Sequence, residues 1–535
     1  MSARATWPQI QHAIPAARQE SARHYGVHPY FTRRPANVVS DYVEAYSRPG
    51  DVVLDPFGGT GVTAIEAMLL GRTGVQNDLN PFANFIARSI ADTTLGSVHP
   101  LVIAFERLEE IVGDKIAVIQ NADEKELARR LRDLELPENI ILPKTSDAER
   151  FHDLFTPRQL AGIATLRVGI SQVADGVTRD LLLLAWSASI AKLNRTFLST
   201  KGRAESRGGS SIFSIYRYKV AKQNVELPIW ATFAGRFRNV VAAKKEVFSV
   251  VDTCRTKGMV IDSQKNFHCY ADDAASLGQR LGAESADYIF TDPPYGGFIS
   301  YLDLSVLWNH WLGFHVTKKT REAEAIVGGE QKHTEAHYKT KLAESIAESV
   351  RMLRRDRWCS VVFQHWDASY FATILDAASD AGAEFKTAIT QTGDVIWSMH
   401  KKKNSESVIA GELILTFHKP AAKRKRVKPV TDKATADVSA LLDDAFDECL
   451  KGGVARFSSE ALFNRLVVGL WQRRALACLQ LDRQAFAAKL RERGWTYDER
   501  RHEWSDGSPA GAVGQDEMEL SATAVAEPPG EDYPV

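Results

Sequence analysis

The 535-residue chain is poor in cysteine, and its five thiols, Cys254, Cys269, Cys359, Cys449 and Cys478, are scattered with no Cys-x-x-Cys pair. That excludes a disulfide framework and a zinc ribbon and reads as reduced thiols in a cytoplasm. An excess of either charge is also lacking, since 67 Lys and Arg balance 67 Asp and Glu. Global basicity therefore argues for no polyanionic partner, and any such argument must be local. No hydrophobic run approaches the roughly 20 apolar residues that cross a bilayer. The longest, Leu181 to Ile190, is interrupted by Ser187 and Ser189. The first residues lack the charged, apolar and small-residue succession of a secretion signal. His310 and His365 have no partners at metal-ligand spacing. The expectation is a cytoplasmic protein with no metal and no membrane contact.

What is present is globular. Hydrophobic residues make up 44% and charged residues 25% of the chain, close to an average folded protein, and the length suggests two to four domains. The first strong local signal is the apolar Asp51 to Leu54, which runs into Asp55, Pro56, Phe57, Gly58, Gly59, Thr60 and Gly61 and then into the helical pattern VTAIEAMLLGR. Gly71 stops that helix, and Thr73 to Asp78 reads as a second strand ending on an acid. Strand, glycine turn, helix, strand is the βαβ unit of a doubly wound parallel sheet, whose ligands sit at the carboxyl ends of the strands. Further strands are expected at residues 266–271, 286–291 and 358–363, with a late hairpin at 394–397 and 412–417.

Gly59, Gly61 and Ala64 satisfy the GxGxxA pattern, and Asp78 lies 17 residues past Gly61. Glycines allow the backbone to approach a ligand, and a carboxylate at that spacing can accept both hydroxyls of a ribose. No lysine follows the glycines as in a P-loop. A second element is Asp292-Pro293-Pro294-Tyr295, directly after the apolar strand 286–291. Two prolines fix φ and end the ladder, holding Asp292 and Tyr295 rigidly at a strand end. An aspartate there can accept a hydrogen bond from an exocyclic amino group, while the tyrosine ring stacks on the base that carries it.

With these motifs the chain resembles the S-adenosylmethionine-dependent amino-methyltransferases of DNA, which make N6-methyladenine or N4-methylcytosine. The loop appears as DPFGGTG, the ribose acid as Asp78 in QNDLNP, and the catalytic tetrapeptide as DPPY. The segment from His28 to Phe57 is similar to the family region in which Thr32, Arg34 and Pro35 would help hold the methionine end of the cofactor. The resemblance implies a Rossmann-like class I methyltransferase sheet with helices on both faces. It implies cofactor contacts from Thr32, Arg34, Asp55, Pro56, Phe57, Gly59, Gly61, Asp78 and, near the adenine, Asp272 or Asp273. Catalysis would fall to Asp292, Pro293, Pro294 and Tyr295, by direct methyl transfer to a base flipped out of double-stranded DNA. Asp before PPY resembles the adenine group more than the cytosine group. Restriction or defence-system proteins are the expected partners.

The expected organisation is a cofactor-binding half (1–95), a mainly helical insertion (96–264), a catalytic half (265–418), a basic linker (419–436), a small helical module (437–506) and an acidic disordered tail (507–535). Between Lys192 and Lys245 the insertion holds twelve Lys or Arg against the acids Glu205 and Glu226. Aromatic residues Phe197, Phe213, Tyr216, Tyr218, Trp230, Phe233 and Phe237 interleave with them. Such a stretch suits contact with phosphates and splayed bases, and Lys201, Arg203, Arg207, Arg217, Lys219 and Lys222 are the candidate nucleic-acid contacts. A solvated helical face is the plainer alternative. Rival readings are an RNA guanine-N2 methyltransferase, whose family also resembles TDPPYG, and a catalytically idle nucleic-acid-binding subunit. A nicotinamide dehydrogenase would need a hydride-transfer constellation that the second half does not supply.

Overall fold

The structure is a computed structural model and describes residues 10–17, 21–198, 209–221, 225–392, 411–422, 438–450, 456–457, 459–472, 476, 479, 483–498 and 503–506. The chain divides into two compact units, Met1–Ser398 with Ile409–Ala434, and Met399–Val408 with Thr435–Val535.

The larger unit is built on a seven-stranded sheet. Its strands are β1 (Val52–Asp55), β2 (Thr73–Asn77), β3 (Phe267–Tyr270), β4 (Ala286–Thr291), β5 (Leu353–Phe363), β6 (Glu384–Thr392) and β7 (Gly411–Lys419). They lie in the order β3-β2-β1-β4-β5-β7-β6, parallel except that β7 runs antiparallel to both its neighbours. The order reverses between β1 and β4, which places the carboxyl ends of these two strands at the switch point of the sheet. This is the expected Rossmann-like class I sheet. Every residue of β4 is buried, as a central parallel strand covered on both faces requires. Of the late hairpin, residues 412–417 lie in β7, while 394–397 fall outside the described residues.

Two layers cover the sheet. On one side α1 (Ala36–Tyr46) and α2 (Val62–Leu69) contribute to a cluster in which Val39, Tyr42, Val43 and Tyr46 pack with Val53, Tyr288, Phe290 and Trp358. A second, larger cluster joins α2 and α3 (Pro81–Ala91) to the inserted helices α4 (His99–Asn121), α5 (Glu124–Arg132), α6 (Pro157–Val173), α7 (Gly176–Ile190) and α8 (Ile229–Thr256). Trp186, Trp308 and Trp311 are fully buried there. The insertion is helical as expected, apart from a two-residue ribbon, Phe197–Leu198 with Gly209–Ser210. Helices α9 (Glu335–Met352) and α10 (Ala368–Asp380) also belong to the unit.

Lys419, read from sequence as the first linker residue, is the last residue of β7. Its buried ammonium donates to the carbonyls of Val350 and Leu353. The smaller unit holds helices Val438–Leu450, Ser459–Gln472 and Arg483–Glu492, with Phe446, Phe463, Phe486 and Leu490 buried. A three-stranded ribbon of Arg456–Phe457, Glu503–Ser505 and Thr496–Asp498 was not expected from the sequence. The tail from Gly507 and most of the basic linker lie outside the described residues. No helix among the described residues is long and apolar enough to cross a membrane.

Candidate active site

The loop after β1 is shaped by backbone geometry that only certain residues tolerate. Gly59 and Gly61 have φ of 53° and 85°, left-handed values that favour glycine. A Cβ on Gly61 would also stand 2.7 Å from Ala87 Cβ. Gly61 caps α2, and the loop is tied down by its own amides, Gly58 donating to the Asn77 carbonyl at 2.9 Å and Gly61 to the Gly58 carbonyl at 2.8 Å. Asp55, the last residue of β1, is buried and saturated. It accepts from the hydroxyls of Thr63 and Thr291, each at 2.8 Å, and from the Phe57 amide at 3.1 Å. Burial pushes its carboxyl up to about 7 against those three donors.

Asp78, past the end of β2, accepts from the amides of Gly59 at 2.9 Å and Asn80 at 2.8 Å. Burial raises its carboxyl to about 6. Asn80 caps α3 and also donates to the hydroxyls of Ser305 at 2.8 Å and Tyr30 at 3.2 Å. The neighbouring Asn77 spans to the third strand end, donating to the carbonyls of Pro56 at 3.0 Å and Asp272 at 2.9 Å. The carboxylates of Asp272 and Asp273 are ion-paired with Arg280 and Lys341.

The Thr291 to Asp55 hydrogen bond joins the two strand ends on which the motifs depend. Beyond Thr291 the double proline turns the chain. Asp292 Oδ2 receives Arg34 Nε at 2.6 Å and Oδ1 receives the Tyr295 hydroxyl at 2.7 Å. Arg34 further donates to the Tyr295 oxygen and pairs with Glu412. Arg34 therefore engages the tetrapeptide itself in this structure. The Tyr295 ring meets Phe363 edge-on with centroids 5.1 Å apart, and burial holds its phenol far above the usual range. Tyr338 donates to the Pro294 carbonyl at 2.5 Å.

One cleft gathers these corners. Its walls include Thr32, Arg34, Asp55, Pro56, Phe57, Gly59, Asp78, Asp272, Asp273, Asp292 and Pro294 from the sequence reading. Gly61, Pro293 and Tyr295 are not among its lining residues. Thr32, with φ of 33°, meets the Tyr301 hydroxyl at 3.3 Å. The sequence reading missed Tyr30, Asn80, Tyr301 and Glu324, which also line the cleft. Asn80 was legible as the cap of NPF. Glu324 sits in no motif. Among the described residues no group of three His, Cys, Asp or Glu could hold a metal. A carboxylate at the second strand end beside a glycine turn that lets a ligand approach the backbone is suited to a nucleoside-type ligand.

The candidate nucleic-acid residues fare differently. Lys201, Arg203, Arg207 and Lys222 lie outside the described residues. Arg217 and Lys219 are exposed, and Arg217 pairs with Asp147 at 2.5 Å. Most interleaved aromatics are not surface groups: Phe197, Tyr218, Phe233 and Phe237 are buried, and Tyr218 donates to the Leu304 carbonyl at 2.7 Å. Tyr216, 40% exposed with φ of 52°, stands 6.3 Å from the Phe31 ring at the cleft. The expected aromatic surface is thus corrected to interior packing with Tyr216 at its edge, because helix-period aromatics in α8 face the shared core.

Residues 4–113 match the family model described as DNA methylase, of the N6-adenine and N4-cytosine methyltransferases. A 70-residue stretch is 31% identical to the Type II methyltransferase M.MjaII of Methanocaldococcus jannaschii, covering 13% of each protein. Among solved structures, a protein of Thermus thermophilus described as a DNA modification methylase is 15% identical. That match covers 32% of this chain and 61% of the other with a TM-score of 0.16. The antibiotic-resistance methyltransferase Kmr is 12% identical over 34% of this chain and 73% of the other, with a TM-score of 0.18.

Proposed function

With residues 4–113 of the DNA amino-methylase type, we propose that the chain transfers a methyl group from S-adenosylmethionine to an exocyclic amino nitrogen of a DNA base, adenine N6 before cytosine N4. The observation that carries the reading is the single cleft shared by the glycine loop, Asp78 and the Asp292 corner. The residues present suit the cofactor: Asp78 would take the ribose hydroxyls beside the glycine turn, and Thr32 and Arg34 line the same cleft. S-adenosylmethionine would supply the electrophilic methyl.

The remaining work falls to the chain. Asp292 would accept the amino N–H, concentrating the nitrogen lone pair toward the methyl that bound S-adenosylmethionine would supply, and would take the proton that the amino group gives up. Arg34 and the Tyr295 hydroxyl fix the Asp292 carboxylate so that no reorganisation is needed at that moment. The Tyr295 ring, held by Phe363, offers a face to the base. A base inside a duplex cannot reach this corner, so the target is extruded, a cost of a few kcal/mol that contacts from the insertion would offset.

The name of the Methanocaldococcus relative, a Type II methyltransferase, is in keeping with methyl transfer. The test is a labelled-methyl assay on duplex DNA and on tRNA, followed by nucleoside analysis. N6-methyladenine in DNA is the expected product. N4-methylcytosine would move the base assignment, and label on tRNA alone would overturn the DNA reading.

A further inference from the structure

Several carboxyl groups line the cleft, and their partners differ. Asp55 is filled by three donors, Asp78 has one amide on each oxygen, Asp272 and Asp273 are ion-paired, and Asp292 is held by Arg34 and Tyr295. Glu324 is the exception. It is only 8% exposed and its Oε1 accepts only the Leu302 amide at 3.1 Å, while among the described residues no donor reaches Oε2. Arg321, whose charge acts on it, is committed to Asp303 at 2.9 Å and to Glu330 at 3.7 Å. Asp78, Asp303 and the Tyr30 phenol also face it, and His337 meets its backbone carbonyl rather than its carboxyl. A buried carboxyl with a vacant oxygen, in a cleft whose other acids are satisfied, awaits a donor from outside the chain.

We propose that Glu324 is a positioning anion for the positively charged cofactor, receiving its cationic portion and giving up a proton as it does. The proposal rests on the cofactor reading above. Burial, and the like charges of Asp303 and Asp78, push this carboxyl up to about 8, so near neutrality it carries its proton. A cation placed against it reverses that balance. Two groups of S-adenosylmethionine could be the cation, the sulfonium and the α-ammonium, and the product S-adenosylhomocysteine keeps only the second.

The experiment is isothermal titration of the full-length chain with each compound at pH 7, in phosphate and in Tris, whose different ionisation heats report protons released per binding event. Glu324→Gln keeps the acceptor for the Leu302 amide. It should release fewer protons than the native chain and bind S-adenosylmethionine about 10- to 100-fold more weakly, the range for one hydrogen bond to a charged group. A deficit seen with S-adenosylmethionine alone assigns the sulfonium. A deficit with both compounds assigns the ammonium. An unchanged proton count in the variant overturns the proposal whatever its affinity. Failure of the native chain to bind either compound overturns the cofactor reading first and this one with it. Should Glu324→Gln not melt cooperatively, the native chain decides alone: affinity for S-adenosylmethionine should climb with pH until about 8, and a profile already flat above pH ~7 refutes the role.

Discussion

Asp292 is held by two donors at the strand end, so its carboxylate is oriented without help from a ligand. Its role and that of Asp78 separate experimentally. Asp292→Asn should lower the transfer rate by at least about 100-fold, the scale of one positioned acid–base group, with cofactor affinity nearly native. Asp78→Ala should instead weaken cofactor binding about 10- to 100-fold, as expected for a lost charged hydrogen-bond acceptor. Equal losses of rate and affinity in both variants would refute the division. Tyr295→Phe separates the two parts of that residue. If the ring against Phe363 is what matters, Phe should retain far more activity than Ala; if the hydroxyl on Asp292 matters, Phe and Ala should fall together. Asp55 gives a pH prediction. Its folded-state carboxyl, at about 7, lies above the value of an unfolded aspartate, so the folded chain binds the extra proton and stability falls as pH rises between roughly 4 and 7. Asp55→Asn should therefore melt higher than the native chain at pH ~8 and show no such gain at pH ~4. A gain of the same size at both pH values would contradict the burial argument.

At the scale of elements, the basic stretch of the insertion holds lysines and arginines in environments that composition cannot separate. Lys244 of α8 is buried, and its ammonium donates to the carbonyls of Ser89 at 3.3 Å, Ile90 at 3.1 Å and Asp92, where α3 ends. It caps a helix rather than facing solvent. Lys244→Met should cost about 2–4 kcal/mol, because several buried carbonyls lose their donor, and should leave the salt dependence of DNA binding unchanged. Arg217→Ala, on the exposed side, should lower that salt slope by about one instead. A reduced slope in Lys244→Met would place that residue at the interface after all. The contrast also shows what could be read from sequence. β1, the glycine loop, α2 and β2 were legible because each is set by neighbours within a few residues. DPPY was legible because two prolines impose their geometry locally. Lys244 and the buried aromatics of α8 were not, since their partners come from α3 and α4 and a positive charge reads alike on either face of a helix. Glu324 was hidden for the same reason: Leu302, Asp78 and Tyr30 reach it from three distant stretches of chain.

Across the whole molecule, every wall of the cleft belongs to the larger unit, and the insertion shares one hydrophobic cluster with α2 and α3. The insertion should therefore not melt ahead of the sheet, because separating α4, α6, α7 and α8 would strip the apolar cover from helices that carry the glycine loop and Asp78. The smaller unit has its own core around Phe446, Phe463, Phe486 and Trp504, and among the described residues it contributes none to the cleft. Calorimetry of the full-length chain should then show two transitions, and S-adenosylmethionine should raise one of them. At a concentration about 100 times its dissociation constant the ligand adds about 2.7 kcal/mol to whichever unit binds it. The shifted transition should be the larger one in enthalpy, since enthalpy scales with the number of residues that unfold. A ligand that raises the smaller transition equally would mean that residues beyond 434 belong to the cofactor site, and a third, ligand-insensitive transition would mean that the insertion folds apart from the sheet it covers.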